Sequence, residues 1–471
     1  MKANNLIKFG TAGWIGVIGE EFTFQNVRLV SQAISNYLWK RGLAERGIIV
    51  GYDTRFLSER FAIECAKVLA ANKINVLLCE RDTPMPVLSY EVMRNSLGGA
   101  INFTASHNPP EYNGLKYSDE DGSPAMPEIT GLIENEIAQL TNKSDLFFYY
   151  IDKSYIETFR EQHHYLEYLK LKLSKEELNF SVMKVAVDPL FGTARDYIDK
   201  LLFENGCTVH TIHNFRDPYF GGYSPEVSED NLADLKRLVV EQRCNIGIAM
   251  DADADRFAIV DEAGHYISCN LILAFLLDYL ISSGKITNSI GRSVSTSHML
   301  DRIASYHSLN VIETPVGFKY LAQLLKNNEI EFAAEESGSF SIKGHIPEKD
   351  GMLASMLAVE VVAKKREKLS YLLKELQNKY GVYYYKKASM PATLKLKKRL
   401  MKVINNPPTK LGGKKIINVK TLDGIKLYFE GDEWLLIRLS GTEPLVRVYA
   451  ESNNEEISEN LIKCAKELLK T

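Results

Sequence analysis

The sequence predicts an α/β protein of several domains that ends in a smaller α+β unit. Three observations carry that expectation. The chain has 471 residues, more than one hydrophobic core serves, and at ~150 residues per domain it should divide into about three or four. Buried-strand runs alternate with one-faced helical runs as far as Tyr380, the pattern of mainly parallel sheets covered by helices. Beyond that point short strand-like runs dominate and one helix closes the chain.

The elements follow in order. Thr23 can cap a helix whose apolar residues Val27, Val30, Ile34, Tyr37 and Leu38 keep helical spacing. A buried strand at Ile48–Gly51, a loop at 52–55, a helix over Ser58–Asn72, a strand at Ile74–Leu78 and a helix around Ile129–Leu140 complete the first unit. Ser154–Leu178 is charged and aromatic and reads as a helical connector. The second unit has a strand at Val182–Val187, a turn after Asp188, a helix over Ala194–Asn205 and a strand at Thr208–Ile212. Ser282-Ser283-Gly284 marks a boundary. The third unit has a strand near Ser293, a helix from His298 to Tyr306 and a strand at Asn310–Glu313. The tail has strands at Lys415–Val419, Ile425–Glu430, Leu435–Leu439 and Val446–Ala450, then a helix over Glu455–Leu469. The expected domains are therefore 1–150, 151–283, 284–380 and 381–471. No repeat stands out by identity, although the same kind of unit recurs.

Composition narrows the class. An apolar fraction of 45% with 25% charged residues is ordinary for a globular chain. A net charge of −3 gives no reason to expect nucleic acid or a membrane as partner. The basic run Lys395–Lys402 reads as a solvated helix face. Six cysteines are scattered without a CxxC pair, which fits reduced thiols in a cytosol. No apolar run is long enough to span a bilayer, so a soluble, cytoplasmic protein is expected. Oligomeric state is not legible.

The sharpest motif is Met250-Asp251-Ala252-Asp253-Ala254-Asp255-Arg256. Carboxylates at i, i+2 and i+4 share one face of an extended segment, and apolar strand halves flank them. Such carboxylates repel one another near a core unless a cation sits among them, and hard oxygen ligands suit Mg²⁺. Thr104-Ala105-Ser106-His107-Asn108-Pro109 follows an apolar strand, Leu97–Phe103, and its Asn-Pro-Pro turn displays Ser106 at the strand's carboxyl end. The glycines of a GxSxG elbow are absent. Arg438-Leu439-Ser440-Gly441-Thr442-Glu443-Pro444, with Arg447, has the hydroxyls, backbone amides and arginine fork of a phosphate cradle. Glu335-Glu336-Ser337-Gly338 offers groups suited to sugar hydroxyls.

In that order, from Phe9-Gly10-Thr11 to Arg447, these loops resemble the α-D-phosphohexomutase superfamily, which includes phosphoglucomutase and phosphomannomutase. The resemblance implies four domains, three related α/β units with mainly parallel mixed sheets and a C-terminal α+β domain, around a central cleft. It implies an isomerase that moves phosphate between the 1- and 6-positions of a hexose, with a hexose 1,6-bisphosphate such as glucose 1,6-bisphosphate as activator. Ser106 matches the phosphoryl carrier; Asp251, Asp253, Asp255 and the Ser106 oxygen match the Mg²⁺ ligands. Arg256 matches the arginine beside the metal, Lys116 a lysine proposed for proton transfer, and His107 follows the serine as in the family. Glu335 and Ser337 match sugar-binding residues, and Arg438, Ser440, Gly441, Thr442 and Arg447 the distal phosphate clamp. The segments 314–319, with Lys319, and 345–351, with Lys349, are more similar to phosphoglucomutases than to phosphoglucosamine mutases, which favours glucose phosphate, with mannose phosphate the other candidate.

The chain departs from the family in places. Ala252 stands where many relatives have glycine, an expected cost if that backbone needs φ > 0. Ser339 replaces a histidine. Ala12 and Ile15 replace an aspartate and an arginine, which predicts an active site one positive charge short. Two other classes stay open: an Mg²⁺-dependent sugar phosphatase, and a phosphosugar-binding relative without catalysis.

Overall fold

The computed structural model describes residues 7–10, 13–141, 152–160, 162–173, 180–441 and 443–470. Four main sheets follow one another along the chain. The first has six strands in the order Trp14–Val17, Tyr112–Ser118, Ala100–Phe103, Ile48–Tyr52, Val76–Cys79 and Ile156–Phe159. The second has five, Tyr266–Ile267, Phe257–Asp261, Ile246–Met250, Lys184–Asp188 and Thr208–Thr211. The third has four, Val311–Thr314, Ile290–Ser293, Phe332–Glu335 and Ser339–Ile342. The fourth, Tyr384–Pro391, Leu445–Ser452, Trp434–Leu439, Ile425–Tyr428 and Asn418–Lys420, is antiparallel throughout. Three mixed sheets with helices, then an α+β unit, are the expected class.

Local sequence accounts for most elements. Thr23 caps helix Phe24–Arg41 by accepting from the Asn26 amide, and Gly42 ends it in a left-handed conformation. The basic run lies on helix Leu394–Asn405, capped by Thr393, with Leu396, Leu400 and Val403 buried. The expected helical connector differs: it opens as the strand Ile156–Phe159, which pairs in parallel with Val76–Cys79, before helix Gln162–Lys170. Helices Cys269–Ser282 and Gly351–Lys365 have no one-faced pattern because they are buried nearly all round. All six cysteines are free thiols. Among the described residues no helix is long and apolar enough to cross a membrane.

One relationship positions the site. In each of the first three sheets an antiparallel hairpin leaves the parallel core: Ala100–Phe103 to Tyr112–Ser118, Ile246–Met250 to Phe257–Asp261, and Phe332–Glu335 to Ser339–Ile342. The serine loop, the aspartate loop and the Glu335–Ser339 loop are the connections of these three hairpins. The phosphate-cradle segment connects a fourth hairpin, Trp434–Leu439 to Leu445–Ser452. The recurrence that the sequence shows only as a kind of unit is thus a recurrence of hairpins, each carrying one functional loop.

Candidate active site

The serine loop is held from below. Ser106 has φ of 49°, a left-handed conformation that costs a non-glycine residue, and its amide donates to Thr104 Oγ1 at 2.8 Å. The buried guanidinium of Arg55 donates to the carbonyls of Ser106, Asn108 and Pro109 at 2.5, 2.6 and 2.7 Å. Asp53 accepts from Arg55 Nε at 3.0 Å. Ser106 Oγ thereby meets the aspartate loop, donating to Asp251 Oδ2 at 2.8 Å.

Asp251, Asp253 and Asp255 are all buried, and one carboxylate oxygen from each lies within 4.8 Å of the others. They converge through a tight loop between two strands, not along one strand face as the i, i+2, i+4 spacing suggested. The left-handed residue of that loop is Ala254, with φ of 58°. Ala252, the expected strained position, is not left-handed; its methyl is buried against Phe191 and Phe220. Burial, then the charges of Asp255 and Asp253, push the Asp251 carboxyl well up. Lys116 Nζ reaches Asp253 Oδ2 at 2.6 Å and Asp255 Oδ2 at 2.7 Å, so those two carboxylates hold it as an ammonium ion despite burial. Lys349 adds a second cation, 3.1 Å from Asp255 Oδ2 and 3.0 Å from Glu348. Asp253 Oδ1 and Asp255 Oδ1 are buried with no hydrogen-bond partner among the described residues. Three hard-oxygen donors with unused buried oxygens fit a divalent cation such as Mg²⁺.

The third unit closes over this loop. Asp350 caps helix Gly351–Lys365 by accepting from the Met352 and Leu353 amides, and His345 and Tyr165 bind its other oxygen. The Gly351 amide donates to Ala254 O at 3.1 Å. A Cβ at Gly351 would lie 2.6 Å from Arg256 O, so only glycine lets the helix approach the metal loop this closely. Glu335 accepts from the Gly317 amide at 2.8 Å, and Ser337 Oγ lies 3.0 Å from Ser339 Oγ. Burial, followed by the charge of Glu336, raises Glu335 to about 7.

Ser106, His107, Lys116, Arg256, Glu335, Ser337, Lys349, Arg438, Ser440, Gly441 and Arg447 all line one cleft. Arg438 pairs with Asp423 at 2.8 Å, and Arg447 pairs with Glu443. Thr442 lies outside the described residues. Lys319 is not among the cleft-lining residues; its ammonium sits 5.7 Å from the Tyr320 ring centre, while its neighbour Phe318 faces the cleft.

Family models of phosphoglucomutase/phosphomannomutase match the chain at four places: the α/β/α domain I at residues 6–144, domain II at 163–264, domain III at 268–380 and the C-terminal domain at 359–463. The chain belongs to the phosphoglucomutase/phosphomannomutase family. The phosphoglucomutase/phosphomannomutase of Thermococcus kodakarensis is 29% identical over 475 residues, covering 98% of each chain. The phosphoglucosamine/phosphogalactosamine mutase of Sulfurisphaera tokodaii is 29% identical over 477 residues, again 98% of each. A crystal structure from Thermus thermophilus assigned to phosphomannomutase superposes with a TM-score of 0.85 at 28% identity, covering 99% of each chain. As a family member the chain is a phosphohexomutase, an isomerase that transfers phosphoryl groups. The relatives' names leave its sugar unspecified.

The departures from the family fall at different distances from the cleft. Ile15 is half-buried on the edge strand Trp14–Val17 opposite Gly114, and it does not line the cleft; Ala12 lies outside the described residues. Ser339 lines the cleft. Three residues of the site escaped the sequence reading. Arg55 acts on backbone carbonyls 51 to 54 positions away, which leaves no local pattern. Glu226 and Lys387 line the cleft from an irregular loop and a fourth-sheet strand, and neither stands in a recognisable motif.

Proposed function

We propose that this phosphohexomutase interconverts a hexose 1-phosphate and a hexose 6-phosphate, with glucose phosphate favoured, through a phosphoserine at Ser106 and a hexose 1,6-bisphosphate. The observation that carries this reading is the 2.8 Å hydrogen bond between Ser106 Oγ and Asp251, residues 145 apart on hairpins of two different sheets. A lone loop serine has no need of three buried carboxylates. A phosphoryl carrier does, because phosphoryl transfer demands neutralised oxygens and fixed geometry.

Asp251, Asp253 and Asp255, with the Ser106 oxygen, would hold Mg²⁺, which when bound draws negative charge from the phosphoryl oxygens. Ser106 carries the phosphoryl group. A sugar hydroxyl attacks its phosphorus, a new P–O bond forms as the P–Oγ bond breaks, and the product is the bisphosphate. The hydroxyl's proton passes to His107, which faces the cleft and which burial, then the charge of Arg256, keeps neutral. Lys116, the expected proton acceptor, is already an ammonium ion paired with Asp253 and Asp255 and offsets negative charge instead. Arg256 and Lys349 offset the remaining negative charge. Glu335 and Ser337 bind sugar hydroxyls, and Arg438, Ser440, Gly441, Thr442 and Arg447 hold the phosphate that is not transferring. After the bisphosphate turns over, its other phosphate returns to Ser106. The likeness of segments 314–319 and 345–351 to phosphoglucomutases supports glucose.

Intact-mass measurement tests the carrier. Protein incubated with glucose 1,6-bisphosphate should gain one phosphate, localised to Ser106, and Ser106→Ala should gain none and lose mutase turnover while melting as wild type does. Full turnover in the alanine variant would end the proposal. A coupled assay across glucose, mannose and glucosamine phosphates decides the sugar.

A further inference from the structure

The cradle of the fourth unit is wider than its loop. In an antiparallel sheet, directly paired residues share a face, and so do residues two apart on one strand. Ser389, Arg447 and Arg438 form one such row across three strands, and Lys387 pairs with Tyr449 in the next row on the same face. Arg438, Arg447, Tyr449 and Lys387 all line the cleft, with the Lys387 ammonium 6.0 Å from the Tyr449 ring centre.

The cations of this face differ in one respect. Arg438 has Asp423 and Arg447 has Glu443 as carboxylate partners. Among the described residues no carboxylate comes within ion-pair distance of Lys387. Lys387 is exposed in the open cleft, and the cleft walls displace enough water around its ammonium to lower it from the ordinary lysine value, an effect that Glu336 only partly offsets. A cation kept without a counter-ion, beside two paired arginines and facing a cleft, is arranged for an anion that arrives with the substrate.

We infer that Lys387 is a third cationic contact for the non-transferring phosphate of the hexose phosphate, reaching it from the strand beside the Arg438–Arg447 cradle. This rests on the cradle reading given above and extends it to a residue outside the loop. The contact is made in ground state and transition state alike, because that phosphate does not react, so its loss falls on KM more than on kcat.

Steady-state kinetics with glucose 1-phosphate test it, using Lys387→Met, Lys387→Arg and Arg447→Met, each checked by thermal melting. Lys387→Met should raise KM about 10- to 100-fold, the size of one charge-assisted contact, with a smaller change in kcat. Lys387→Arg should restore most of the loss. If Arg447→Met raises KM and Lys387→Met does not, this inference is wrong and the cradle stands. If neither variant changes KM, the cradle reading falls and this inference with it. If the effect of Lys387→Met vanishes in a Glu336→Gln background, the lysine acts by holding Glu336 and the phosphate contact is refuted.

Discussion

Arg55 Nη2 donates to the backbone oxygen of Ser106 at 2.5 Å, from a side chain with no solvent exposure. The same guanidinium holds the carbonyls of Asn108, Pro109 and Tyr112, so one residue fixes the whole turn that displays the serine. Ser106 needs this bracing because its φ of 49° is unfavourable for any residue with a Cβ. A side chain displayed from strained backbone keeps its geometry only while the surroundings over-determine it.

Arg55→Lys should therefore lower kcat by at least ~10-fold with little change in KM, since small misplacements of a reacting group are costly. The lysine keeps a charge for Asp53 but loses the planar fork that serves several carbonyls. Its melting temperature should also drop, each lost buried hydrogen bond being worth about 1 kcal/mol. Wild-type kcat in this variant would show that the serine loop holds itself.

The legibility of this site in the sequence followed chemistry that is local along the chain. Asp251, Asp253 and Asp255 are readable because three carboxylates stand within five residues between apolar strands. Arg438 to Arg447 is readable because one hairpin brings together both arginines and the hydroxyl-bearing loop between them. Arg55 is not, since its partners are main-chain oxygens that any residue could supply. Lys387 is not, because its relation to Arg447 exists only through strand pairing. The fold behaves the same way. Helix Phe24–Arg41 declares itself through its cap and apolar spacing, whereas Gly351–Lys365 is buried on all sides and has no period to read. The strand Ile156–Phe159 has no alternation because two of its residues are exposed at a sheet edge.

Removing one metal carboxylate should have opposite effects with and without the ion. Among the described residues Asp251 differs from Asp253 and Asp255 in having no lysine partner; it accepts from Ser106 Oγ and the amides of Asp255 and Arg256. Asp251→Asn keeps an acceptor for those amides and removes a charge that is buried among like charges. Its melting temperature without metal should exceed that of wild type, and millimolar Mg²⁺ should raise it less. A variant that melts lower without metal yet keeps the full Mg²⁺ shift would rule out Asp251 as a ligand.

Glu335 sets a pH dependence of stability. Burial raises its carboxyl from 4.5 to about 7 in the folded protein. Below the lower value both folded and unfolded chains hold the proton, and the group contributes nothing. Between the two values the unfolded chain releases the proton while the folded one keeps it, so stability falls as pH rises, by on the order of 3 kcal/mol in total. Above about 7 the penalty is constant. Glu335→Gln retains an oxygen for the Gly317 amide and escapes the penalty. Its melting temperature relative to wild type should therefore be higher at pH 8 than at pH 5. An equal difference at both pH values would show that Glu335 titrates normally.

Ala252 and Ala254 make opposing predictions that locate the strain of the metal loop. The Ala252 methyl is buried against Phe191 and Phe220, and Gly192 packs so closely that a Cβ there would come within 2.8 Å of Ala252 O. That backbone contact limits how far the loop can collapse into a lost methyl. Ala252→Gly should cost about 1–2 kcal/mol, from one buried methyl and from the added freedom of glycine in the unfolded chain. At Ala254, with φ of 58°, glycine relieves a left-handed conformation worth ~1–2 kcal/mol and gives back about as much through the same two losses. Ala254→Gly should therefore lie near zero. Chemical denaturation of both variants without metal gives the comparison, and kcat with saturating Mg²⁺ should stay within about twofold for Ala252→Gly because its methyl packs on the aromatic pair Phe191 and Phe220. If Ala252→Gly stabilises the protein or speeds it, then the residue that replaces the family's glycine is the strained one, and the loop geometry described for Ala254 is wrong.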